Sequence, residues 1–421
     1  MSDPTDFDQA LGRFQPVAAP AITGAEHDAR LGGLQAAMRR NGVAAVWLDA
    51  STSLAYFLGH ALGRSERIHG ALIFAQGDPL HVSPTFEEPK LRSILRKPGE
   101  IATWEEDEDP YALIAAEVAR RCGPGATLAL DETTPWLFAA PITAAMEGRT
   151  VPAKPMISGL RQIKSAAEIA IIQTAMTASW QVQRAVWQGL RPGVSTTEVC
   201  AFIDAAHQAL GMAPLFSAVQ FGEATAYPHG VPHPQQLAGG DMVLVDLGAT
   251  LHGYHSDITR SYVFGRPTPR QRALWEHERA AHATAFAAAR IGAPVEAVDQ
   301  AARDLLTAAG FGPGYAVPGL PHRTGHGLGL DIHEEPFIVK GNRTPLAAGM
   351  CFSIEPMLCL YGECGIRLED IVHMTEAGPR WFCPPAADMD LPFGPDAQGA
   401  DATVLQHGSG TSAATSSIER E

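Results

Sequence analysis

Two aspartates lie in a stretch that otherwise has the composition of a buried β-hairpin. The segment MVLVDLGATLHGYHSDITRSYVFG (242–265) contains an apolar run, a polar turn and a second strand-like run. If the turn spans residues 250–253, Asp246 and Asp257 face each other across the two strands. Directly opposed side chains have Cβ atoms ~5 Å apart, and like charges there are destabilising. The pair limits what the chain can fold into, because something must neutralise two apposed carboxylates.

A second hairpin repeats the arrangement with glutamates. In CFSIEPMLCLYGECGIRLEDIVHM (351–374), a turn centred on Gly362 places Glu355 opposite Glu369. Two carboxylates at ~4 Å repel by about 4 kcal/mol at an effective dielectric constant of about 20. Shared protons could relieve one pair, whereas two bridging divalent cations would serve both. The alternative is that one hairpin has a different register and one of its acids points to solvent.

Three histidines crowd into the segment between the hairpins. PHRTGHGLGLDIHEEPF (321–337) contains His322, His326 and His333. The glycines on either side of His326 indicate the close approach of another backbone segment. The G-x-G-x-G run is not expected to bind a dinucleotide, because no βαβ unit surrounds it, and HEEPF lacks the second histidine of the zincin motif. Four carboxylates and one imidazole would form an oxygen-rich site that suits manganese, cobalt or zinc.

The length and the order of the expected elements indicate two folded units. The chain has 421 residues, more than the roughly 250–300 residues at which a single hydrophobic core stops growing. Alternating strands and helices predict an α/β domain over residues 26–155, after an amino-terminal extension over 1–25. The segment VPAKPMISGL (151–160) has the composition of a linker. A unit that mixes strands with helices follows over 161–395, and the polar tail over 396–421 is expected to be disordered.

The charge balance and the cysteines narrow the class of protein. Lys and Arg number 31 against 46 Asp and Glu, for a formal net charge of −15. That acidity argues against a nucleic-acid partner, which would need clustered basic side chains. The amino terminus has no apolar signal segment, and no run approaches the ~18 apolar residues of a membrane span. Six scattered cysteines form no C-x-x-C pair. We therefore expect a cytoplasmic protein with reduced cysteines and no membrane partner.

The motifs together resemble the creatinase/aminopeptidase P/prolidase group of metallopeptidases, and most closely its Xaa-Pro dipeptidases. The resemblance covers nearly the whole chain and is carried by IKSAAEI, ATAYPHG, VLVDLGA, GYHSDITRSY, HRTGHGLGLDIHEEP, SIEPM and GIRLED. It implies a creatinase-like α/β domain followed by an α+β "pita-bread" catalytic domain. It also implies two divalent cations, manganese in the first place and cobalt or zinc otherwise. Their implied ligands are Asp246, Asp257, His326, Glu355 and Glu369.

The resemblance further implies roles for residues around the ligands. Four would act in catalysis or substrate binding: His229, His333 and Arg367, with His322 lining the pocket. His229 lies in a proline-rich loop to which chemistry alone assigns no role. A water of lowered pKa between the cations would attack the peptide carbonyl, with Glu355 as proton shuttle and two histidines as oxyanion donors. Arg367, on the same strand face as Glu369, would bind the terminal carboxylate of the substrate.

The reaction implied by the resemblance is hydrolysis of the bond before proline in Xaa-Pro dipeptides. A homodimer is expected, in which the amino-terminal domain of one protomer caps the partner's site. Aminopeptidase P, which takes longer Xaa-Pro peptides, is the alternative. Methionine aminopeptidases share the ligands but generally lack the amino-terminal domain, and creatinase-type enzymes lack the full ligand set. From another class, a non-catalytic peptide- or protein-binding module of the same fold is the remote alternative, although such relatives usually lose the ligands.

Overall fold

The computed structural model describes residues 7–395. The predicted tail (396–421) and the first six residues of the predicted extension lie outside this range. The first part of the described chain is an α/β domain with a short preceding helix. Its elements are α1 (Phe7–Leu11), α2 (Gly24–Asn41), β1 (Ala45–Asp49), α3 (Thr52–Leu58), β2 (Gly70–Phe74), β3 (Leu80–Pro84), α4 (Glu88–Ile94), β4 (Glu100–Trp104), α5 (Pro110–Cys122), β5 (Leu128–Leu130), α6 (Trp136–Ala145), β6 (Thr150–Pro152) and α7 (Lys154–Arg161).

The strands of this domain form one mixed sheet in the order β4-β3-β2-β1-β5-β6. The central strand β1 is buried along its whole length, which explains its continuous apolar sequence, because strands covered on both faces do not alternate. Leu34 of α2 and Phe57 of α3 pack on one side of the sheet. Ile114 of α5 and Ile142 of α6 pack on the other. The predicted α/β architecture is therefore present, while its predicted limits, 26–155, stay a prediction.

Residues 151–160, interpreted above as a linker, belong to this domain. Strand β6 extends the sheet in parallel with β5, and α7 buries Met156 and Ile157 in the same core as α2 and α3. Proline and glycine suggested irregular structure, but Pro155 lies in the first turn of α7, where its missing N–H breaks no hydrogen bond. An edge strand and a helix therefore replace the predicted linker.

The second part of the chain combines long helices with antiparallel sheets. Its elements are α8 (Ala166–Gly189), α9 (Thr196–Ala209), β7 (Ala213–Phe221), β8 (Met242–Leu251), β9 (Tyr254–His255), β10 (Ile258–Val263), α10 (Pro269–Ala288), α11 (Glu296–Ala308), β11 (Gly325–Gly327), β12 (Glu334–Ile338), β13 (Cys351–Ile354), β14 (Met357–Leu360), β15 (Cys364–Arg367), β16 (Asp370–Thr375) and β17 (Gly378–Trp381). Within residues 7–395, every helix is too short or too polar to cross a bilayer.

Two main sheets bring the carboxylate-bearing hairpins together. One has the order β10-β8-β7, and the other the order β12-β11-β13-β16-β17, with β14 and β15 as a separate pair. A bridge between Thr259 and Glu369 joins the two sheets. One continuous hydrophobic core contains residues of both sheets and of helices α8 to α11. The two sheets, which share this core, therefore bring the carboxylate-bearing residues of both hairpins close together.

The register of the first hairpin differs from the prediction. Asp246 pairs with Thr259 rather than with Asp257, a shift of two residues. The turn contains only His252 and Gly253, both with positive φ (50° and 80°), and two-residue turns of this kind match the twist of antiparallel strands. A two-residue shift keeps side chains on the same face, so both aspartates still reach one site.

The register of the second hairpin is confirmed. Met357 pairs with Arg367 at its outer end, and Ile354 pairs with Asp370 on the other side. Both pairs of strands have the register that was predicted for this hairpin. Glu355 and Glu369 occupy the gap between them, where the backbone leaves the ladder and their carboxylates can turn towards the first hairpin.

Candidate metal centre

Five predicted ligands come from five different places in the two sheets. Asp246 lies on β8, Asp257 precedes β10, His326 is the middle residue of β11, Glu355 follows β13 and Glu369 precedes β16. Asp257, His326 and Glu369 each offer a ligand atom within 4.8 Å of the others. His326 Nε2 also lies 3.2 Å from Glu355 Oε1. The sheets therefore assemble side chains that are more than 100 residues apart in the sequence.

The backbone around His326 fixes its ring. The His326 N–H donates to Ser353 Oγ at 2.9 Å, and a Cβ at Gly325 or Gly327 would collide with a neighbouring carbonyl, as the glycine pattern predicts. His326 Nδ1 lies 3.1 Å from the carbonyl oxygen of Gly327. When Nδ1–H donates there, the lone pair of Nε2 faces the carboxylates, which is the usual orientation of a metal-binding imidazole.

Among residues 7–395, two carboxylate oxygens of the cluster have no hydrogen-bond partner. Arg367 Nη2 donates to Asp246 Oδ2 at 2.7 Å, and Thr259 Oγ1 donates to Glu369 Oε2 at 2.7 Å. Asp246 Oδ1 and Glu369 Oε1 are buried and accept no hydrogen bond. Buried polar atoms are nearly always satisfied. Unsatisfied carboxylate oxygens beside an imidazole lone pair are the donor set that a divalent cation requires, so the residues present fit a metal.

The protonation of these groups depends strongly on a cation. Burial raises the pKa of Asp257 and of Glu369 well above their ordinary values, and their carboxylate neighbours add to the rise. Burial likewise raises the pKa of Glu355 to about 7. Burial lowers the pKa of His326 to about 3. Burial and mutual repulsion favour the protonated form of these acids, whereas a bound cation favours their charged form.

The predicted histidines outside the ligand set differ in how closely they approach the cluster. The rings of His326 and His333 meet edge to face, with centroids 4.1 Å apart. His322 Nδ1 contacts the carbonyl oxygen of Arg323 at 2.7 Å, and burial lowers the pKa of His322 to about 4. The exposed His229 contributes to the lowered pKa of both His322 and His333. His333 therefore contacts a predicted ligand directly, and His229 and His322 lie close enough to each other for their charges to interact.

The guanidinium of Arg367 contacts the cluster through Asp246. Its side chain is 4% exposed, and all three of its nitrogens are engaged. Besides Asp246, they contact Thr259 Oγ1 at 3.3 Å and the carbonyl oxygen of Pro228 at 3.1 Å. This arrangement holds Asp246 and the loop before His229, and it leaves little of the guanidinium for a substrate.

The sequence reasoning missed two kinds of supporting residue. Thr259, which donates to Glu369, is two residues beyond Asp257 and therefore on the same strand face, a signal that was available. The contacts between the domains had no local signal. Arg161 Nη2 lies 2.8 Å from Asp331 and 2.6 Å from Glu334, and Lys164 lies 2.7 Å from Glu334. These pairs bind the segment that carries His333 to the end of helix α7.

Comparisons with known proteins agree with this architecture. A model of metallopeptidase family M24 matches residues 170–376, and one of the creatinase/prolidase N-terminal domain matches residues 30–163. The chain is 36% identical over 353 residues to the probable dipeptidase PepE of Mycobacterium tuberculosis, covering 83% of this chain and 92% of that protein. It is 29% identical over 354 residues to the Xaa-Pro dipeptidase of Lactobacillus helveticus, covering 82% and 94%.

A comparison with a solved structure also agrees with this architecture. Prolidase from Thermococcus sibiricus superposes with a TM-score of 0.78 at 30% identity, covering 86% of this chain and 97% of the prolidase. A creatinase-type α/β domain, a pita-bread domain and a buried carboxylate–imidazole cluster together define a metal-dependent hydrolase. The chain belongs to metallopeptidase family M24. The resemblance inferred from the motifs is confirmed, and so is the predicted fold class.

Proposed function

We propose that this metallopeptidase hydrolyses the peptide bond before proline in Xaa-Pro dipeptides. The observation that carries the proposal is the intact ligand set, in which Asp257, His326 and Glu369 converge and Glu355 contacts the imidazole. The names of the relatives, a probable dipeptidase and an Xaa-Pro dipeptidase, support the substrate class. A binding module without catalysis would have no need of these buried, mutually repelling acids.

Two divalent cations, manganese in the first place, would be held by Asp246, Asp257, His326, Glu355 and Glu369. When bound, they supply a water nucleophile of lowered pKa and polarise the scissile carbonyl. Glu355 is the proposed proton shuttle. Its carboxylate would take a proton from water and return it to the prolyl nitrogen. Ser353 Oγ, 3.2 Å from Glu355 Oε1, orients the carboxylate.

The histidines outside the ligand set would bind the reacting carbonyl. The side chains of His229 and His333 are exposed, which makes both accessible to a substrate. Burial and the nearby Arg323 lower the pKa of His333, so its neutral ring can donate a hydrogen bond to the oxyanion that develops during attack. His322, deeper in the same group, would line the pocket and exclude water. Arg367 would position Asp246 through their hydrogen bond.

The proposal is tested by comparing three substrates with manganese-loaded enzyme. We expect hydrolysis of Ala-Pro at a higher kcat/KM than of Ala-Pro-Ala or Met-Ala. Preference for the tripeptide would point to an aminopeptidase P, and preference for Met-Ala would overturn the assignment. Asp257→Asn should lose at least ~10³-fold in kcat/KM, because an essential ligand is removed. Asp107→Asn, at an exposed turn, should retain full activity.

We also propose a homodimer, on the resemblance alone. Light scattering after size-exclusion chromatography would give twice the mass of one 44.7 kDa chain, and a monomer would contradict it. The cytoplasmic location stays a prediction.

A further inference from the structure

The strand ladder that carries Asp257 is interrupted just before this ligand. Strands β9 and β10 pair with β8 in one common register, but Ser256 and Asp257, which lie between the two strands, belong to neither. The Ser256 N–H still donates to the carbonyl oxygen of Ala249 at 2.9 Å. In a continuous ladder the Ala249 N–H would donate back to the carbonyl oxygen of Ser256, whereas here it donates to Ser256 Oγ at 3.1 Å. The hydroxyl of Ser256 therefore replaces a backbone acceptor at the residue before the ligand.

This interruption leaves the backbone of Asp257 outside the ladder. The carbonyl oxygen of Ser256 lies over Gly248, where an added Cβ would be 2.6 Å from it. The Asp257 N–H donates to Met176 Sδ at 3.4 Å, and a thioether is a weak acceptor. The position of the Asp257 carboxylate, which must meet the other ligands, therefore depends on what holds Ser256.

Two buried side chains on helices α8 and α9 hold the Ser256 hydroxyl. Ser179 Oγ, on α8, lies 2.7 Å from Ser256 Oγ, and His207 Nε2, on α9, lies 3.0 Å from Ser179 Oγ. All three side chains are fully buried. Burial lowers the pKa of His207 to about 4, so its ring is neutral at neutral pH. This chain of hydrogen bonds carries no charge, and any influence that it has on the metal centre must act through geometry.

We infer that Ser179 and His207 position the metal ligand Asp257 through the hydroxyl of Ser256. The inference rests on the proposed metal-dependent function and adds positioning residues to the five ligands. Hydrogen-bonded groups behind metal ligands fix the orientation of those ligands, and their loss typically lowers metal affinity or activity by about 10- to 100-fold. Here the support reaches the backbone that precedes the ligand.

The test measures manganese binding by Ser179→Ala, which leaves Ser256 its contacts with Ala249 but removes the third contact. We expect the Kd of the more weakly bound manganese ion to rise by about 10- to 100-fold, and the exchange-coupled EPR spectrum of the manganese pair to change. At saturating manganese, kcat on Ala-Pro should fall while KM changes less than about twofold, because the contacts of the substrate remain. Thr174→Ala is the matched control. The Thr174 hydroxyl, on the same helix, donates to the carbonyl oxygen of Ala170 at 2.9 Å, and its loss should change none of these quantities.

Substitutions of His207 test the same chain of hydrogen bonds independently. His207→Gln places an amide nitrogen near the position of Nε2 and should keep the Kd within about threefold of the wild-type value. His207→Phe removes the polar atoms and should resemble Ser179→Ala. The double variant with Phe at 207 and Ala at 179 should lose less than the product of the two single effects, because residues of one network are not additive.

The outcomes separate positioning from a merely structural role. A variant that only destabilises the fold would have a lower melting temperature but normal manganese affinity and a normal EPR spectrum. That result for Ser179→Ala, or equal effects of His207→Gln and His207→Phe, would overturn the inference. If the wild type binds two manganese ions but does not hydrolyse Ala-Pro, the proposed function alone fails, because the Kd and the EPR spectrum still decide whether Asp257 is positioned in this way.

Discussion

The carboxyl group of Glu355 has the surroundings of a group that exchanges protons near neutrality. Its side chain is 15% exposed and lies 3.2 Å from His326 Nε2. Burial raises its pKa to about 7, although Arg367 acts in the opposite direction. Asp257 and Glu369, which are more deeply buried, have their pKa values raised further by neighbouring charges. Protons and metal ions therefore compete for the carboxylate oxygens of these residues.

Manganese affinity should therefore weaken as the pH falls. The metal needs deprotonated carboxylates, and Glu355, whose pKa is raised to about 7, takes up a proton below that pH. We expect the apparent Kd to rise at least tenfold per pH unit below that point, as measured by competition with a metal-sensitive dye. Glu355→Gln removes one titrating ligand and should flatten the dependence. A Kd that is constant from pH 8 to pH 6 would contradict this explanation.

At the scale of elements, the segment between β11 and β12 depends on the other domain for its position. Glu334 is flanked by Arg161 and Lys164, with its two carboxylate oxygens at 2.6 Å and 2.7 Å. Burial alone would raise the pKa of Glu334, but the two cations lower it. His333 directly precedes Glu334, so the ion pairs that join helix α7 to this strand also set the place of the imidazole.

Glu334→Gln should destabilise the protein and lower kcat. It leaves the buried Lys164 without its counter-charge and leaves Arg161 with Asp331 alone, and breaking a buried ion pair typically costs about 3–5 kcal/mol, measured as the free energy of urea unfolding. The neighbouring Glu335 pairs with Lys154, whose side chain is 45% exposed. Glu335→Gln should therefore change the free energy of unfolding by less than about 1 kcal/mol. Equal effects of the two substitutions would show that the buried pairs do not hold this segment.

The hairpins show how much of the site the sequence could predict. The second register was predictable because the turn at Gly362 leaves the whole hairpin with one offset. The predicted register of the first hairpin was wrong by two residues. The prediction assumed a four-residue turn, whereas His252 and Gly253 form a two-residue turn. Period-two alternation still places Asp246 and Asp257 on one face of the hairpin. Contacts such as that of Arg161 with Glu334 join segments that are far apart in the sequence, and no local sequence pattern predicts them.

At the scale of the whole molecule, the residues before α2 join the two domains. Phe7 of α1 stacks on Phe202 of α9, with ring centroids 4.3 Å apart, and fits where Gly189 leaves no side chain. The Val17 N–H donates to the carbonyl oxygen of Leu210 at 2.9 Å. The chain thus crosses the surface of the second domain before it enters the first.

Removing the Phe7 ring should loosen this attachment. Phe7 is 8% exposed, and Phe→Ala at buried positions typically costs about 3–5 kcal/mol. We expect Phe7→Ala to lower the free energy of urea unfolding by at least ~2 kcal/mol. The loss can fall below the typical range because a terminal helix can relax around the missing ring. Phe86→Ala, at a phenylalanine that is 58% exposed, should cost less than about 1 kcal/mol. Similar values for both would mean that α1 contributes nothing to stability.

The central claim is that the converging acids and His326 hold two metal ions that make the protein a peptidase. The most direct measurement is the number of manganese ions per chain, determined by elemental analysis of metal-depleted protein titrated with manganese while Ala-Pro hydrolysis is followed. Five ligands, with unsatisfied oxygens on Asp246 and Glu369, predict about two ions per chain, with full turnover reached as the second binds. One ion at full activity, or none, would contradict the dinuclear centre, and full loading without hydrolysis would contradict the proposed reaction.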